Sequence, residues 1–321
     1  MTSRATATLT GLALGDALGM PSQSMSPADI TRHYGTITTL RDAVIEQPIA
    51  PGMAAGSVTD DTEQALLLAE LITADRVTPM NLAGSLLAWE DSMIARGSAD
   101  LLGPSTKMAL AAVRGGADPA TTGKTGTTNG AAMRIAPVGI AHSLADIERF
   151  ADAVYETLSI THDTTNGWQS AFIVAAAVSA GIDGASARES ISQALDLTES
   201  VPTRGAWTPK AGVLARSRAA LDGLPGATEL PDYLRSVVGT SVEANESIPA
   251  ALALCWAYGE EPMEALTTAA NLGGDTDTIG AIAGAILGAT GAEFGDIVGD
   301  LRLGDVCLDD VAKRLMKVRR G

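Results

Sequence analysis

The sequence feature that most restricts the fold is a long succession of helical segments built largely from small and aliphatic residues. Hydrophobic residues make up 46% of the 321 positions, whereas aromatic residues make up only 3%. Such a core favours closely packed helices over a β-sandwich, which uses more aromatic and β-branched side chains. Alternation of polar and apolar residues is nowhere long enough to predict a strand, and residues 35–40 form at most one short hairpin arm. The sequence therefore predicts an all-α fold.

Segments containing glycine and proline separate the predicted helices. The helical windows are residues 5–18, 62–74, 80–96, 105–114, 145–160, 167–180, 187–197, 212–221, 230–238, 247–258, 262–271, 278–291 and 306–318. Three longer irregular stretches, 41–58, 115–134 and 198–210, have lengths typical of lids or ligand loops. With no internal repeat and no low-complexity tail, we expect a single domain over residues 1–321.

Charge, cysteine content and hydropathy restrict the class of protein. A net charge of −16 at pH 7 argues against a nucleic-acid-binding surface, which needs clustered lysine and arginine. The two cysteines predict no disulfide framework and indicate a reducing compartment. The N-terminal segment lacks a signal-peptide layout, and the longest apolar runs, 171–182 and 279–292, are too short to span a bilayer. We expect a cytoplasmic protein with neither nucleic-acid nor membrane partners.

Two acidic clusters of matching character stand more than 200 residues apart. Each combines two carboxylates with flanking hydroxyls: Thr59, Asp60, Asp61 and Thr62 in the first, and Asp275, Thr276, Asp277 and Thr278 in the second. Asp60 and Glu63 have the spacing of a capping box, which predicts that the first pair lies at a helix N-terminus. Carboxylate and hydroxyl oxygens suit Mg²⁺, Mn²⁺ or Ca²⁺ better than zinc. If the fold brings the clusters together, they form a two-metal site.

Each cluster also has a purely structural explanation, because anionic side chains at a helix N-terminus interact favourably with the helix dipole. Around the second cluster, however, Gly273 and Gly274 allow unusual backbone angles, and Gly280 and Gly284 allow close helix contact. A cap explains one aspartate in such a turn but not readily both. Carboxylates brought together without a cation would repel one another and resist ionising, which favours metal binding.

The segment TGTTNGAAMR indicates a second kind of site. Gly126, Asn129 and Gly130 can present backbone N–H groups to an anion, and Arg134 can assist. A plain connecting loop explains the segment equally well. His162 is either a structural hydrogen-bonding residue or part of a site, and nothing in its local sequence decides between the two.

These motifs, in this order, resemble those of the ADP-ribosylglycohydrolase family, which includes dinitrogen-reductase-activating glycohydrolase and the ADP-ribosylarginine hydrolases. The matching stretches are 11–19 (GLALGDALG), 59–62 (TDDT), 129–134 (NGAAMR), 161–162 (TH) and 271–278 (NLGGDTDT). The resemblance implies a compact orthogonal helical bundle with a binuclear Mg²⁺ or Mn²⁺ centre at the base of a cleft. The chemistry it implies is hydrolysis of an N- or O-glycosidic bond at C1 of a ribose.

The resemblance also implies roles for individual residues. The metal ligands it implies are Thr59, Asp60, Asp61, Asp275, Asp277 and Thr278. The residues implied to hold the diphosphate or distal ribose are Gly126, Asn129, Gly130, Ala131 and Met133, and His162 is expected to line the same cleft. The general base is expected among the carboxylates Asp60, Asp61, Asp275 and Asp100, although Asp100 is also explained as a helix cap.

One position departs from the family pattern. Many members carry a glutamate four residues beyond the last glycine of the GDALG motif, where this chain has Gln23. A glutamine can coordinate a metal or form hydrogen bonds, but it cannot act as a general base. The departure implies another base or a different leaving group, with Gln23 among the substrate-binding residues.

Three functions follow from these observations. The leading one is a hydrolase that uses two divalent cations, Mg²⁺ or Mn²⁺, to remove ADP-ribose from a protein side chain or a small molecule. An ADP-ribosylated protein is a candidate partner. The second is a nucleosidase-type N-glycosidase acting on a small ribosyl compound, which the changed residue at position 23 favours. The third is a non-catalytic module that binds ADP-ribose, although a mere binder has little need for six intact metal-ligand positions.

Overall fold

The computed structural model describes residues 3–97 and 102–321. Its α-helices are α1 (Arg4–Gly19), α2 (Pro27–Tyr34), α3 (Asp60–Thr73), α4 (Pro79–Ala95), α5 (Pro104–Arg114), α6 (Pro119–Thr122), α7 (Gly130–Met133), α8 (Ala136–Ala141), α9 (Ile147–His162), α10 (Thr165–Ile182), α11 (Ala187–Ser200), α12 (Val213–Asp222), α13 (Leu230–Tyr233), α14 (Ala244–Ala257), α15 (Pro262–Ala270), α16 (Thr276–Ala289) and α17 (Leu308–Arg320). Within those ranges, β-structure is confined to three isolated bridges. The prediction of an all-α fold is confirmed.

Every predicted helical window corresponds to an observed helix, but four short helices were not predicted. Helices α6, α7 and α8 contain only four to six residues, too few to show a helical period. Helix α2 has a polar sequence with one buried residue, Ile30, so it lacks an apolar stripe. Residues 35–40, considered above as a hairpin arm, have no strand structure.

Two glycine-rich helices, α1 and α16, pack against each other so closely that their backbones touch. A Cβ atom on Gly15 would overlap the carbonyl group of Gly280, and one on Gly19 would overlap the backbone of Asp277. Only glycine allows this approach, because any side chain would push the helices apart. Further contacts of the same kind join Gly11 to Gly284 and Gly288 to Ala7. The close packing places Asp16 on α1 beside the second acidic cluster, which begins α16.

Helix α10 lies in the core and is buried along nearly its whole length. Its Trp168 is fully buried, with its ring centroid 5.0 Å from that of Phe172, and the Arg204 guanidinium lies 5.2 Å from the indole.

Across residues 3–97 and 102–321, the helices do not include one with the length and apolar character needed to cross a bilayer.

The irregular segment between α2 and α3 is fastened to the end of α1 by a buried glutamine. The Nε2 of Gln47 donates to the carbonyl oxygens of Met20 (3.1 Å) and Gln23 (3.2 Å). Its Oε1 accepts hydrogen bonds from the backbone N–H groups of Ile49 and Ala50. Because all these bonds are made to backbone, the segment and the turn after α1 have fixed relative positions.

Candidate metal centre and substrate cleft

The first acidic cluster begins helix α3, as its sequence predicted, but without a capping box. Thr59 is the N-cap, and Asp60 is the first helical residue. Glu63 does not turn back to cap the helix; its carboxylate accepts hydrogen bonds from Trp89 (2.7 Å) and Arg96 (2.8 Å). The capping-box prediction for Asp60 and Glu63 is therefore wrong, because the helix starts one residue earlier than that motif requires.

Asp16 of α1 connects to this cluster, and sequence reasoning did not assign it a role. The side chain is fully buried and accepts hydrogen bonds from the backbone N–H and hydroxyl of Thr59 (3.0 and 2.8 Å) and of Thr62 (3.2 and 2.5 Å). Burial raises the pKa of Asp16 to about 6, and these hydrogen bonds oppose the rise. The available signal was a lone carboxylate interrupting an apolar helix.

The second cluster begins helix α16 after two glycines in left-handed conformations, Gly273 (φ +79°) and Gly274 (φ +81°). This turn makes Asp275 the N-cap, and its Oδ2 accepts a hydrogen bond from Nδ2 of Asn129 (2.5 Å). The hydroxyl of Thr278 donates to Oδ2 of Asp61 (3.2 Å). The two clusters, far apart in sequence, are thus in direct contact.

Three carboxylate oxygens in this contact region have no hydrogen-bonding partner in the protein. Oδ1 of Asp61 and both carboxylate oxygens of Asp277 are buried without a hydrogen-bonding partner. Burial raises the pKa of Asp277 well above its usual range, and repulsion from Asp275 raises it further. The pKa of Asp61 is raised in the same way by burial and by Asp277. Buried acceptors without partners are rare in native proteins, and oxygens of this kind are suited to coordinating a cation.

The charge of the site has a simple imbalance. Five buried aspartates, at positions 16, 60, 61, 275 and 277, accompany a single buried guanidinium, that of Arg134. Full ionisation of these six buried groups would leave a net charge of −4, which two divalent cations would balance, and Lys107 in the wall of the adjoining cavity adds one positive charge. In the described residues, no group of three or more His, Cys, Asp or Glu side chains is already arranged to hold an ion. The donor set fits divalent cations in chemistry and charge.

A cavity of about 510 Å³ opens above the two clusters. The acidic clusters contribute Asp60, Asp275 and Thr278 to its wall, whereas Thr59, Asp61 and Asp277 are buried and not part of that lining. The expected substrate-binding residues found in the wall are Gln23, Asn129, Gly130 and Met133. Those not found there are Gly126, Ala131 and His162. Asp100, one of the expected bases, lies outside the described residues.

Gly126 and Arg134 support the cleft from behind. A Cβ on Gly126 would overlap the carbonyl oxygen of Thr161, so this glycine allows the loop to pack on the end of α9. Arg134 is fully buried and donates to Gln64 (3.1 Å) and to the hydroxyl of Thr161 (2.7 Å). The guanidinium therefore braces α3 and α9, and Arg134 is not among the residues of the cavity wall.

His162 also lies behind the loop, which corrects the expectation that it lines the cleft. Its Nδ1 is 2.7 Å from the Thr161 hydroxyl and its Nε2 is 3.0 Å from the Thr128 hydroxyl. Because Arg134 donates to Thr161, the Thr161 proton is available to Nδ1, and His162 carries its own proton on Nε2. Thr128 in turn donates to Ser105 (2.9 Å). Neutral His162 thus holds Thr128 in the cavity wall.

This arrangement predicts a pH dependence of stability. Burial, and secondarily Arg134, lowers the pKa of His162 well below 6.5 in the folded protein. As pH falls below about 6.5, the unfolded chain binds a proton on this histidine that the folded protein does not bind. The free energy of unfolding therefore decreases between about pH 6.5 and the lower pKa of the folded state, by up to about 1.4 kcal/mol per pH unit. Denaturant unfolding of wild type and His162→Gln should show that wild type loses more free energy of unfolding between about pH 7.5 and about pH 5. Equal losses would contradict the buried, neutral state.

The chain is thus an all-α protein in which two acidic clusters, one at the N-terminus of α3 and one at the N-terminus of α16, meet beneath a cleft. The model of the ADP-ribosylglycohydrolase family matches residues 1–319. The uncharacterized protein YegU of Escherichia coli (strain K12) is 35% identical over 296 residues, covering 90% of this chain and 87% of YegU. ADP-ribosylhydrolase ARH3 of Homo sapiens is 27% identical over 316 residues, covering 89% of this chain and 85% of ARH3.

A solved ADP-ribosylglycohydrolase-related protein complex has the same fold, with a TM-score of 0.73, 23% sequence identity and 98% of both chains covered. The chain belongs to the ADP-ribosylglycohydrolase family. The family resemblance, the fold of the family and the glycoside hydrolase class are confirmed.

Proposed function

We propose that this protein is a metal-dependent hydrolase that removes ADP-ribose from a protein side chain or a small molecule. The observation that supports it best is the contact between the two acidic clusters directly below the cavity, with carboxylate oxygens of Asp61 and Asp277 left without partners. ARH3, a relative over 89% of this chain, is named an ADP-ribosylhydrolase. We further propose a single domain and a cytoplasmic location.

Two divalent cations, Mg²⁺ or Mn²⁺, are the proposed cofactors. The residues that would hold them are Thr59, Asp60, Asp61, Asp275, Asp277 and Thr278, of which the four aspartates and both hydroxyls are buried together. Bound there, divalent cations would lower the pKa of coordinated water and polarise the sugar oxygens. Asp16 would keep Thr59 in place by accepting hydrogen bonds from its backbone N–H and its hydroxyl.

The residues in the cavity wall are proposed to activate the attacking water and to position the substrate. Asp60 and Asp275 are the two carboxylates exposed to the cavity, so they are the described candidates to accept a proton from the attacking water. Asn129 orients Asp275 by donating to its Oδ2. Gly130 and Met133, the first and last residues of helix α7, form the wall where the distal part of the substrate is proposed to lie. Holding the ribose in one orientation reduces the entropy that the reaction must lose.

The test is a panel of ADP-ribosyl-arginine, ADP-ribosyl-serine and free nucleosides, each incubated with the protein and Mg²⁺ or Mn²⁺. We expect ADP-ribose to be released from at least one ADP-ribosyl substrate, and a chelator to stop the release. Cleavage of nucleosides alone would favour the N-glycosidase function, which the amide at position 23 supports. Tight ADP-ribose binding without any cleavage would favour the binding module and contradict the proposal.

A further inference from the structure

Helix α17 carries positive charge that the rest of the protein does not neutralise. Acidic residues outnumber basic ones by 38 to 22, so acidic partners are plentiful. Most arginine and lysine side chains accordingly form ion pairs or hydrogen bonds. In the part of the chain that the structure describes, the side chains of Arg314, Lys317 and Arg320 form neither. These three cations are therefore available to a ligand.

The cations of α17 also lie close to one another on its exposed face. Lys317 has Lys313 and Arg314 four and three residues before it and Arg320 three residues after it, and like charges at these separations repel. Cations in the last turn of a helix interact favourably with its dipole, which explains Lys317 and Arg320. The dipole does not explain Arg314, which lies before the last turn. A bound anion would relieve the repulsion.

A further cation faces this surface from a different element. Arg76, which follows α3, lines a groove of about 420 Å³ together with Arg314 and Lys317. Its side chain, too, lacks a hydrogen bond or ion pair within residues 3–97 and 102–321. The groove contains one carboxylate, that of Glu70, against three cations. Two elements far apart in sequence thus contribute positive charge to one groove.

The opposite flank of α17 borders a larger groove of about 730 Å³. Arg314 and Lys317 line this groove as well, with Lys313 and Arg320, and Asp310 is its one carboxylate. Lys313 is paired with Asp309 (2.5 Å), so its charge is partly compensated. Arg314 and Lys317 therefore form a positive ridge between two grooves.

The helix that presents these cations is firmly held. Its apolar face is buried against the core, and Arg319 donates to the carbonyl oxygen of His142 (2.6 Å) and to the carboxylate of Asp183 (2.6 Å). A fixed backbone reduces the entropy lost when a ligand binds.

We propose that Arg76, Arg314, Lys317 and Arg320 form a binding site for a small anion that carries two or more linked phosphate groups. Guanidinium groups bind phosphate oxygens in pairs, and the lysine ammonium adds a further charge. Arg314 to Arg320 spans about 9 Å of helix, the scale of a compact polyphosphate. A long nucleic acid would extend beyond the cations and be repelled by a protein whose net charge is −16.

This site is separate from the proposed catalytic centre, because the residues of its two grooves do not line the cavity above the acidic clusters. The inference therefore does not depend on the proposed function.

The test is calorimetric titration of the full chain with inorganic tripolyphosphate, in the presence of a chelator that prevents phosphate from bridging to the acidic clusters through a metal. We expect the double variant Arg314→Gln/Lys317→Gln to raise Kd by about tenfold or more, and higher ionic strength to weaken binding to wild type. Tripolyphosphate should raise the Tm of wild type and raise that of the variant less. Without the anion, the variant's Tm should be no lower than that of wild type, because the substitutions remove neighbouring like charges.

The matched control is the double variant Arg32→Gln/Arg235→Gln. It removes the same total charge from two arginines that are each paired with an aspartate three residues earlier in the chain. This control should bind tripolyphosphate like wild type. Absence of binding by wild type, or equal weakening in both double variants, would overturn the proposal.

Two further ligands identify what the site takes. Pyrophosphate and ADP share the linked phosphates, so both should bind and both should lose affinity in Arg314→Gln/Lys317→Gln. Tighter binding of ADP assigns the site to a nucleotide, whereas equal affinity assigns it to the phosphates alone. Hexaglutamate that binds more tightly than tripolyphosphate would contradict the assignment and favour an acidic protein segment instead.

Discussion

Replacing Asp277 with asparagine is expected to change metal binding and metal-free stability in opposite directions. Affinity for Mg²⁺ or Mn²⁺ should fall by more than about a hundredfold, because the buried carboxylate of Asp277 is proposed to coordinate the cations. Turnover should be lost together with metal binding. The metal-free protein should become more stable by about 1–3 kcal/mol, because the neutral amide removes a buried charge that Asp275 repels. Calorimetric titration with Mn²⁺ and thermal unfolding with a chelator measure the two effects.

The control for this variant is Asp196→Asn, which alters an exposed carboxylate paired with Arg218. It should leave metal affinity unchanged and stability within about 0.5 kcal/mol of wild type. If metal affinity survives in Asp277→Asn, the carboxylates have another purpose. If the metal-free variant is less stable than wild type, the charge imbalance described above is not what limits stability.

Gly15→Ala is expected to have the largest effect on folding. One methyl group on Gly15 would overlap the backbone of Gly280 and Ala281, so helices α1 and α16 must separate to admit it. We expect the free energy of unfolding to fall by about 3 kcal/mol or more, because neither backbone can give way as a flexible side chain would. Separating the helices also moves Asp16 away from the clusters, so metal affinity should fall as well.

A matched glycine makes this prediction specific. Gly84 lies in the middle of α4, and a Cβ placed on it would have open space around it. Gly84→Ala should therefore raise stability by about 0.5–1 kcal/mol, because alanine loses less backbone entropy in a helix. Denaturant unfolding of both variants checks the pair. Similar effects of the two substitutions would show that the close contact of α1 and α16 is not what fixes the fold.

The sequence predicted the helices well where they were long and periodic, and it predicted the residues of both acidic clusters. The signal for α10 was an apolar run of helical length, and the signal for each cluster was a pair of carboxylates beside hydroxyls. Helices α6, α7 and α8, of four to six residues, were not predicted because each is shorter than the pattern that reveals a helix. Asp60 was assigned to a capping box because a sequence pattern locates the first residue of a helix only to within one or two positions, and here the helix begins one residue earlier.

The sequence by itself determined the chemistry of the acidic clusters, namely hard oxygen ligands at two helix N-termini, because that depends on residue type and local spacing. Only the tertiary structure decided which groups share the site, because contacts between α1, α3 and α16 depend on packing across more than 200 residues. In the folded protein Asp16 accepts a hydrogen bond from Thr59 of the first cluster, and His162 lies behind the cavity wall in contact with Thr128. The Oε1 of Gln23 is buried without a hydrogen-bonding partner. Burial and hydrogen-bond partnership are properties of the assembled fold, and no local pattern encodes them.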